Sequence, residues 1–291
     1  MCYKKILIYS LALFVTTSTF AQDALVNTKS KTNVTRYLTK KMWNNLFPNR
    51  YNISSSAALP GIAKTEFFSY EAFIAAAEKF PLFINEGDST AQKRELAAFL
   101  ANISEETSGG WDEAPGGYYK WGLYYLEELG CEKGCKAYTD TSKKNYPPVA
   151  GKSYHGRGPS QISWNYNYGQ FSEAYYGNKD SLLQHPEIVS KDAVVSFASA
   201  IWFWMTTQYP KPSCHDVMVG KWVPTQKDKD AGRVPGFGAT VNVINGGIEC
   251  GLGKRLEKTK YRFGYYLYFC KYFKVTPGNN VDCNNQRPFG R

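Results

Sequence analysis

The chain has 291 residues, 43% of them hydrophobic and 16% aromatic, with a formal net charge of +10 at pH 7. This suits one large globular domain, and no Pro/Gly/Ser-rich linker, charge block or repeat divides it. The basic residues are dispersed, with no stripe and no helix-turn-helix or zinc-finger spacing, which argues against nucleic-acid binding and for a solvated face attractive to anionic polymers.

Residues 1–21 carry Lys4 and Lys5, an apolar run over 6–15 and a small-residue end at 19–21. The pattern predicts a secretory signal peptide cleaved before Gln22, too short and wrongly flanked to remain as a membrane anchor. The protein is therefore expected outside the cell or in a periplasm. Without Lys4 and Lys5, 33 basic residues face 25 acidic ones, about +8. Residues 22–291 form the mature domain, with 22–60 as a less patterned N-terminal arm.

A helix is expected over 69–80, and another from the cap candidates Ser89 and Thr90 to Glu106, where Leu96, Phe99, Leu100 and Ile103 recur at spacings of three and four. At about 100° per residue, Glu106 falls on that apolar stripe and Glu105 points well away from it. A carboxyl held against the core is costly to ionise, so a raised pKa is expected for Glu106, as suits a general acid. Twenty-two residues later, Glu128 lies in Tyr-Tyr-Leu-Glu-Glu-Leu-Gly, a polar, glycine-terminated segment where a carboxylate stays ionised and holds a water.

Residues 161–168 alternate polar and bulky side chains, which predicts a short strand with Gln161, Ser163, Asn165 and Asn167 along one face. The 192–208 segment is apolar nearly all round, so it should be a central buried helix whose tryptophans serve the core. Further helical patterns lie at 240–246 and 254–273, and Asn245 in Val-Ile-Asn-Gly-Gly is by itself a turn signal. The fold class is mainly α, with a small β element.

Six cysteines remain after residue 21, and fifteen full pairings are open to them. His155, His185 and His215 are far apart and no Cys-x-x-Cys or His-Glu-x-x-His spacing occurs, so neither a metal nor another cofactor is expected.

Glycosidic bond cleavage needs one carboxylic acid to protonate the leaving oxygen and one carboxylate to activate water or to attack the sugar, in different environments. Glu106 and Glu128, set among tryptophans, tyrosines, amides and glycines, fit that pair. The plainer reading is of solvated glutamates at helix ends.

Over almost the whole mature length the chain resembles glycoside hydrolase family 19, the chitinases. Matches run through Glu-Glu-Thr-Ser-Gly-Gly-Trp at 105–111, then 70–80, 156–169, 201–205, 211–217 and 232–251. The resemblance implies a two-lobed, lysozyme-like domain with a cleft. It assigns Glu106 as acid, Glu128 as base and Ser163 as a group positioning the attacking water. Gln161, Tyr166, Asn167, Asn245 and Trp121 are the implied substrate-binding residues. Glu249 and Arg262 are the implied network tuning the acid, where a nearby Arg opposes the effect of burial. The implied disulfides are Cys250 with Cys283 and Cys131 with Cys135, leaving Cys214 and Cys270 free.

The implied activity is endo-cleavage of β-1,4 links between N-acetylglucosamine units of chitin or chitooligosaccharides, with inversion and carboxyls about 6.5–9.5 Å apart. Peptidoglycan hydrolysis and silent chitin binding are the alternatives, and a monomer is expected. The chain departs from the family at Glu105, usually His, and at Ser108, usually Thr. It also has Tyr124 in place of a cysteine whose usual partner is missing from 57–64.

Overall fold

The computed structural model describes residues 32–50, 66–131, 133–253 and 257–290. The expected signal peptide, the arm at 22–31 and 51–60, and the 57–64 stretch lie outside the described residues. The principal helices are α1 (Tyr70–Ala77), α2 (Ser89–Glu106), α3 (Asn165–Tyr176), α4 (Ala193–Met205), α5 (Cys214–Met218), α6 (Phe237–Glu249) and α7 (Glu257–Tyr272). The helices expected over 69–80, 89–106, 192–208, 240–246 and 254–273 correspond to α1, α2, α4, α6 and α7. The start of α2 differs by a residue: the Asp88 carboxylate, not Ser89 or Thr90, accepts from Ala91 N at 2.8 Å. A charged oxygen there also meets the positive end of the helix dipole.

α4 packs on α1, and α2 packs along α7. The core between them is aromatic. Phe73 stacks on Trp43 at 5.1 Å and on Phe99 at 6.0 Å, and Phe99 meets Trp204 edge-on at 5.6 Å. Trp43 belongs to the described part of the N-terminal arm, which is therefore core rather than appendage; its indole donates to Phe68 O at 3.0 Å. Trp202 and Trp204 are buried, as the unbroken apolarity of α4 requires. Trp204 donates to the fully buried Glu95, which also lies 2.6 Å from His215 Nδ1. His215 Nε2 reaches Glu86 at 2.7 Å, so this histidine is a structural link between two carboxylates.

The expected strand over 161–168 is not formed. Gln161 and Trp164 take positive φ angles, 47° and 76°, which turn the chain twice before α3 begins at Asn165. The alternation was misleading because Asn165, Tyr168 and Ser172 also recur at helical spacing, and burial of that face prevails. Asn165 consequently faces inward: its amide holds Asp140 N, Asp140 O and Tyr146 O at 2.7–3.0 Å. Among the described residues the β element is reduced to isolated antiparallel bridges, Glu127 with Arg157, Arg157 with Ile162 and Gln208 with Lys211.

Cys131–Cys135 and Cys250–Cys283 are bonded, while Cys214 and Cys270 are free and buried. The second disulfide spans 33 residues and ties the C-terminal segment to the end of α6, worth about 3–4 kcal/mol in the loop-entropy account.

Candidate active site

α2 delivers Glu106 at its last position, and the next residue joins this helix to the segment bearing Glu128. Thr107 Oγ1 donates to Ile103 O at 2.6 Å and accepts from Leu123 N at 2.9 Å, while Thr107 O accepts from Tyr124 N and Tyr125 N, both at 3.0 Å. The glycines permit this approach: a Cβ on Gly122 would lie 2.7 Å from Ser104 Cβ. The segment then crosses to the 156–157 turn, where Glu128 N donates to Gly156 O at 2.9 Å beside the Glu127–Arg157 bridge.

Glu106 and Glu128 line one open cavity of about 550 Å³. Gln161, Ser163, Tyr166 and Asn167 form part of its wall, and Asn245 lies on the α6 side. Asn245 is helical by hydrogen bonding but sits at a kink, φ −138°, and donates to Glu249 Oε1 at 2.8 Å. Ser163, Tyr166 and Asn167 thus share the cavity without sharing a strand. Asn167 Oδ1 is buried and has no hydrogen-bond partner among the described residues.

Glu249 and Arg262, implied by the resemblance as a network around Glu106, do meet there. Arg262, from α7, uses Nε and Nη2 on Glu249 at 3.1 and 2.7 Å and directs the same Nη2 to Glu106 Oε1 at 2.6 Å. Arg262 and Glu249 are 3% and 1% exposed, against 19% for the Glu106 side chain. Burial works against the guanidinium charge, but Glu106 and Glu249 outweigh it and Arg262 is held more firmly cationic. On the other flank, Ile103, Phe203 and Ile244 border Glu106. Both opposing influences expected for Glu106, an apolar wall and an arginine, are present.

Glu105 is covered by a part of the chain other than its own helix. It does not point into solvent: the 107–121 loop returns over the end of α2, leaving Glu105 half-buried with Tyr118 OH donating to Oε2 at 3.2 Å. Tyr118 is itself stacked on Tyr261 from α7 at 3.9 Å. Burial raises the Glu105 carboxyl from 4.5 to about 8; the Arg262 charge opposes this, and the nearby Glu249 and Glu106 carboxylates add to it. Glu105 is thus a carboxyl held protonated at neutral pH beside the Arg262 guanidinium.

A stability profile follows from that shift. The folded state holds the Glu105 proton through a range in which the unfolded chain releases it, so this contribution is fully present below about 4.5 and is lost as pH rises through about 8. Glu105→Gln is expected to flatten the fall in Tm between pH 5 and 8. Parallel Tm profiles for parent and variant would contradict the assignment.

Trp121 lies apart from the cavity lining. It is 6% exposed, packs on Trp111 and Tyr124 at 5.1 and 5.4 Å, and donates to Pro115 O, so the indole supports the loop. Sequence reasoning also missed cavity residues. Tyr138 donates to Glu128 Oε1 at 2.6 Å, and Ser160 presents a buried hydroxyl with no partner among the described residues. Neither residue type announces itself locally. Glu127, beside Glu128, is held down to about 2 by His155, with Ser190 and Arg157 adding to the effect.

Among the described residues there is no cluster of metal-ligating side chains and no helix long and apolar enough to cross a membrane.

The family model for class I chitinases matches residues 37–283. A basic endochitinase of Vitis vinifera is 49% identical over 253 residues, covering 87% of this chain and 76% of the relative. An inactive chitinase-like protein of Hevea brasiliensis is 51% identical over 226 residues, 77% of this chain and 69% of that protein. The crystal structure of chitinase C from Streptomyces griseus superposes with a TM-score of 0.64 at 29% identity, covering 85% of this chain and 80% of the other. With the helix-rich, lysozyme-like fold and its two-carboxyl cleft, these matches show that the chain belongs to glycoside hydrolase family 19, the class I chitinases.

Proposed function

We propose that the protein is an exported endochitinase that cleaves β-1,4 links between N-acetylglucosamine units with inversion at the anomeric carbon. The observation carrying this reading is one cavity lined by two carboxyls in unlike settings, Glu106 on a buried Arg–Glu pair and Glu128 under a phenol and a backbone amide. The two disulfides agree with an oxidising compartment and hence with the expected signal peptide.

Glu106, protonated, gives its proton to the glycosidic oxygen as the bond breaks. Arg262 then stabilises the carboxylate left behind. Glu128 removes a proton from a water that Ser163 helps to position, and that water attacks the opposite face of the sugar. Gln161, Tyr166, Asn167 and Asn245 bind the chain; the unpartnered Asn167 oxygen suits the N–H of an acetamido group. Trp121 acts only by holding the loop beside the acid.

Time-resolved proton NMR of a chitin oligosaccharide tests the reading. Initial α-anomer is expected. Initial β-anomer would refute inversion, and an intact oligosaccharide that still binds would make the protein a silent chitin binder; one relative is itself named an inactive chitinase-like protein. Sugar release from purified peptidoglycan but not from chitin would replace the substrate.

A further inference from the structure

The 131–140 loop is closed on itself by a disulfide and held to the rest of the molecule at two points. Cys131 is bonded to Cys135. Ser153 Oγ accepts from Cys135 N at 2.8 Å and donates to Cys135 O at 3.1 Å. At the far end, the buried Asn165 side chain takes both Asp140 N, at 2.7 Å, and Asp140 O, at 3.0 Å. Between these fastenings a 3-10 turn, Lys136–Tyr138, presents one phenol to the cavity. The Tyr138 ring is braced edge-on by Trp164 at 5.6 Å, and its hydroxyl donates to Glu128 Oε1 at 2.6 Å.

The other Glu128 oxygen receives only the longer bond from Gly156 N, 3.2 Å. A carboxylate with a donor on each oxygen has its plane defined. With one long bond it pivots, and the lone pair aimed at the water moves with it. A short O–H···O⁻ contact is the stronger of the two restraints.

The geometry points to Tyr138 as the positioning residue for the base: its hydroxyl, fixed by the fastened 131–140 loop, sets the direction in which the Glu128 carboxylate meets the water. This deepens the proposed function and rests on Glu128 being the base. The phenol keeps its proton for the task, since burial, with the Glu128 hydrogen bond adding to it, pushes Tyr138 up to about 12. Apart from Glu128 and the phenols, the ionisable groups lining the cavity are Glu106 and Lys211, while Glu127, Arg157 and His155 form their own cluster beside the bridge.

Tyr138→Phe keeps the ring on Trp164 and removes only the hydroxyl. The expected result is a kcat about 10–100-fold lower, the scale of a misdirected reacting group, with KM changed by less than about threefold. A Tm within a few degrees of the parent confirms that the variant folds. Parent-like kcat would overturn the inference, as would a fall in kcat accompanied by a matching rise in KM, which is the signature of a disturbed cleft rather than a misdirected base. Glu128→Gln in the same assay separates the two levels: if it retains turnover, Glu128 is not the base and the inference falls with that reading; if it does not, a parent-like Tyr138→Phe defeats the role of Tyr138 alone.

Discussion

Glu106→Gln is expected to lower kcat on chitin oligosaccharides by about 10²–10⁴, the range of a lost general acid, while oligosaccharide binding persists. Glutamine keeps the size of the side chain and an oxygen for Arg262 Nη2, now 2.6 Å from Oε1, so the cavity wall should hold its shape. What is lost is the transferable proton. Steady-state kinetics alongside calorimetric titration of a chitin oligosaccharide separate the two quantities. Turnover within about threefold of the parent would remove Glu106 from the mechanism, and a parallel loss of binding would mean that the substitution damaged the cleft instead.

The largest stability effect is expected from Arg262→Met. Arg262 is the shared counter-charge of Glu249, itself 1% exposed, and of Glu106. Its Nη1 also donates to Asn102 Oδ1 at 3.2 Å. Removing one partner of a buried pair strands the other charge, at a cost of about 3–5 kcal/mol. Activity should fall too, because the carboxylate formed at Glu106 on proton transfer would then face Glu249 without a cation between them. Glu249→Gln added to Arg262→Met should restore part of the stability, since the stranded charge is gone, but not the activity. Denaturant unfolding of the three proteins measures this, and a double variant no more stable than Arg262→Met would contradict the ion-pair account.

These two predictions sit on residues that were readable to different degrees. Glu106 stands out because the apolar stripe of α2 runs into it, and the resemblance made both it and Glu128 specific. Tyr138 and Ser160 carried no such signal. A tyrosine in a cysteine-flanked loop has no period or motif to mark it, and its bond to Glu128 depends on how that loop is fastened by Ser153 and Asn165. The 161–168 segment shows the opposite failure. Its alternation was real, but two positive-φ turns and the inward pull on Asn165 redirected it into a helix, so residues expected on one strand face reach the cavity from a turn and a helix.

Patterns internal to a segment were sufficient for α1, α2, α4, α6 and α7, the buried character of α4 and the candidate carboxyls, because a helix or turn imposes its period on neighbouring residues. The ionisation of those carboxyls was beyond such patterns. Arg262 reaches Glu106 from 156 residues away, and Glu105 is buried by Tyr118 and the loop that carries it rather than by its own helix. Solvation and Coulomb energies depend on distance in space, so the proton held on Glu105 and the guanidinium set against Glu106 were both decided by folding.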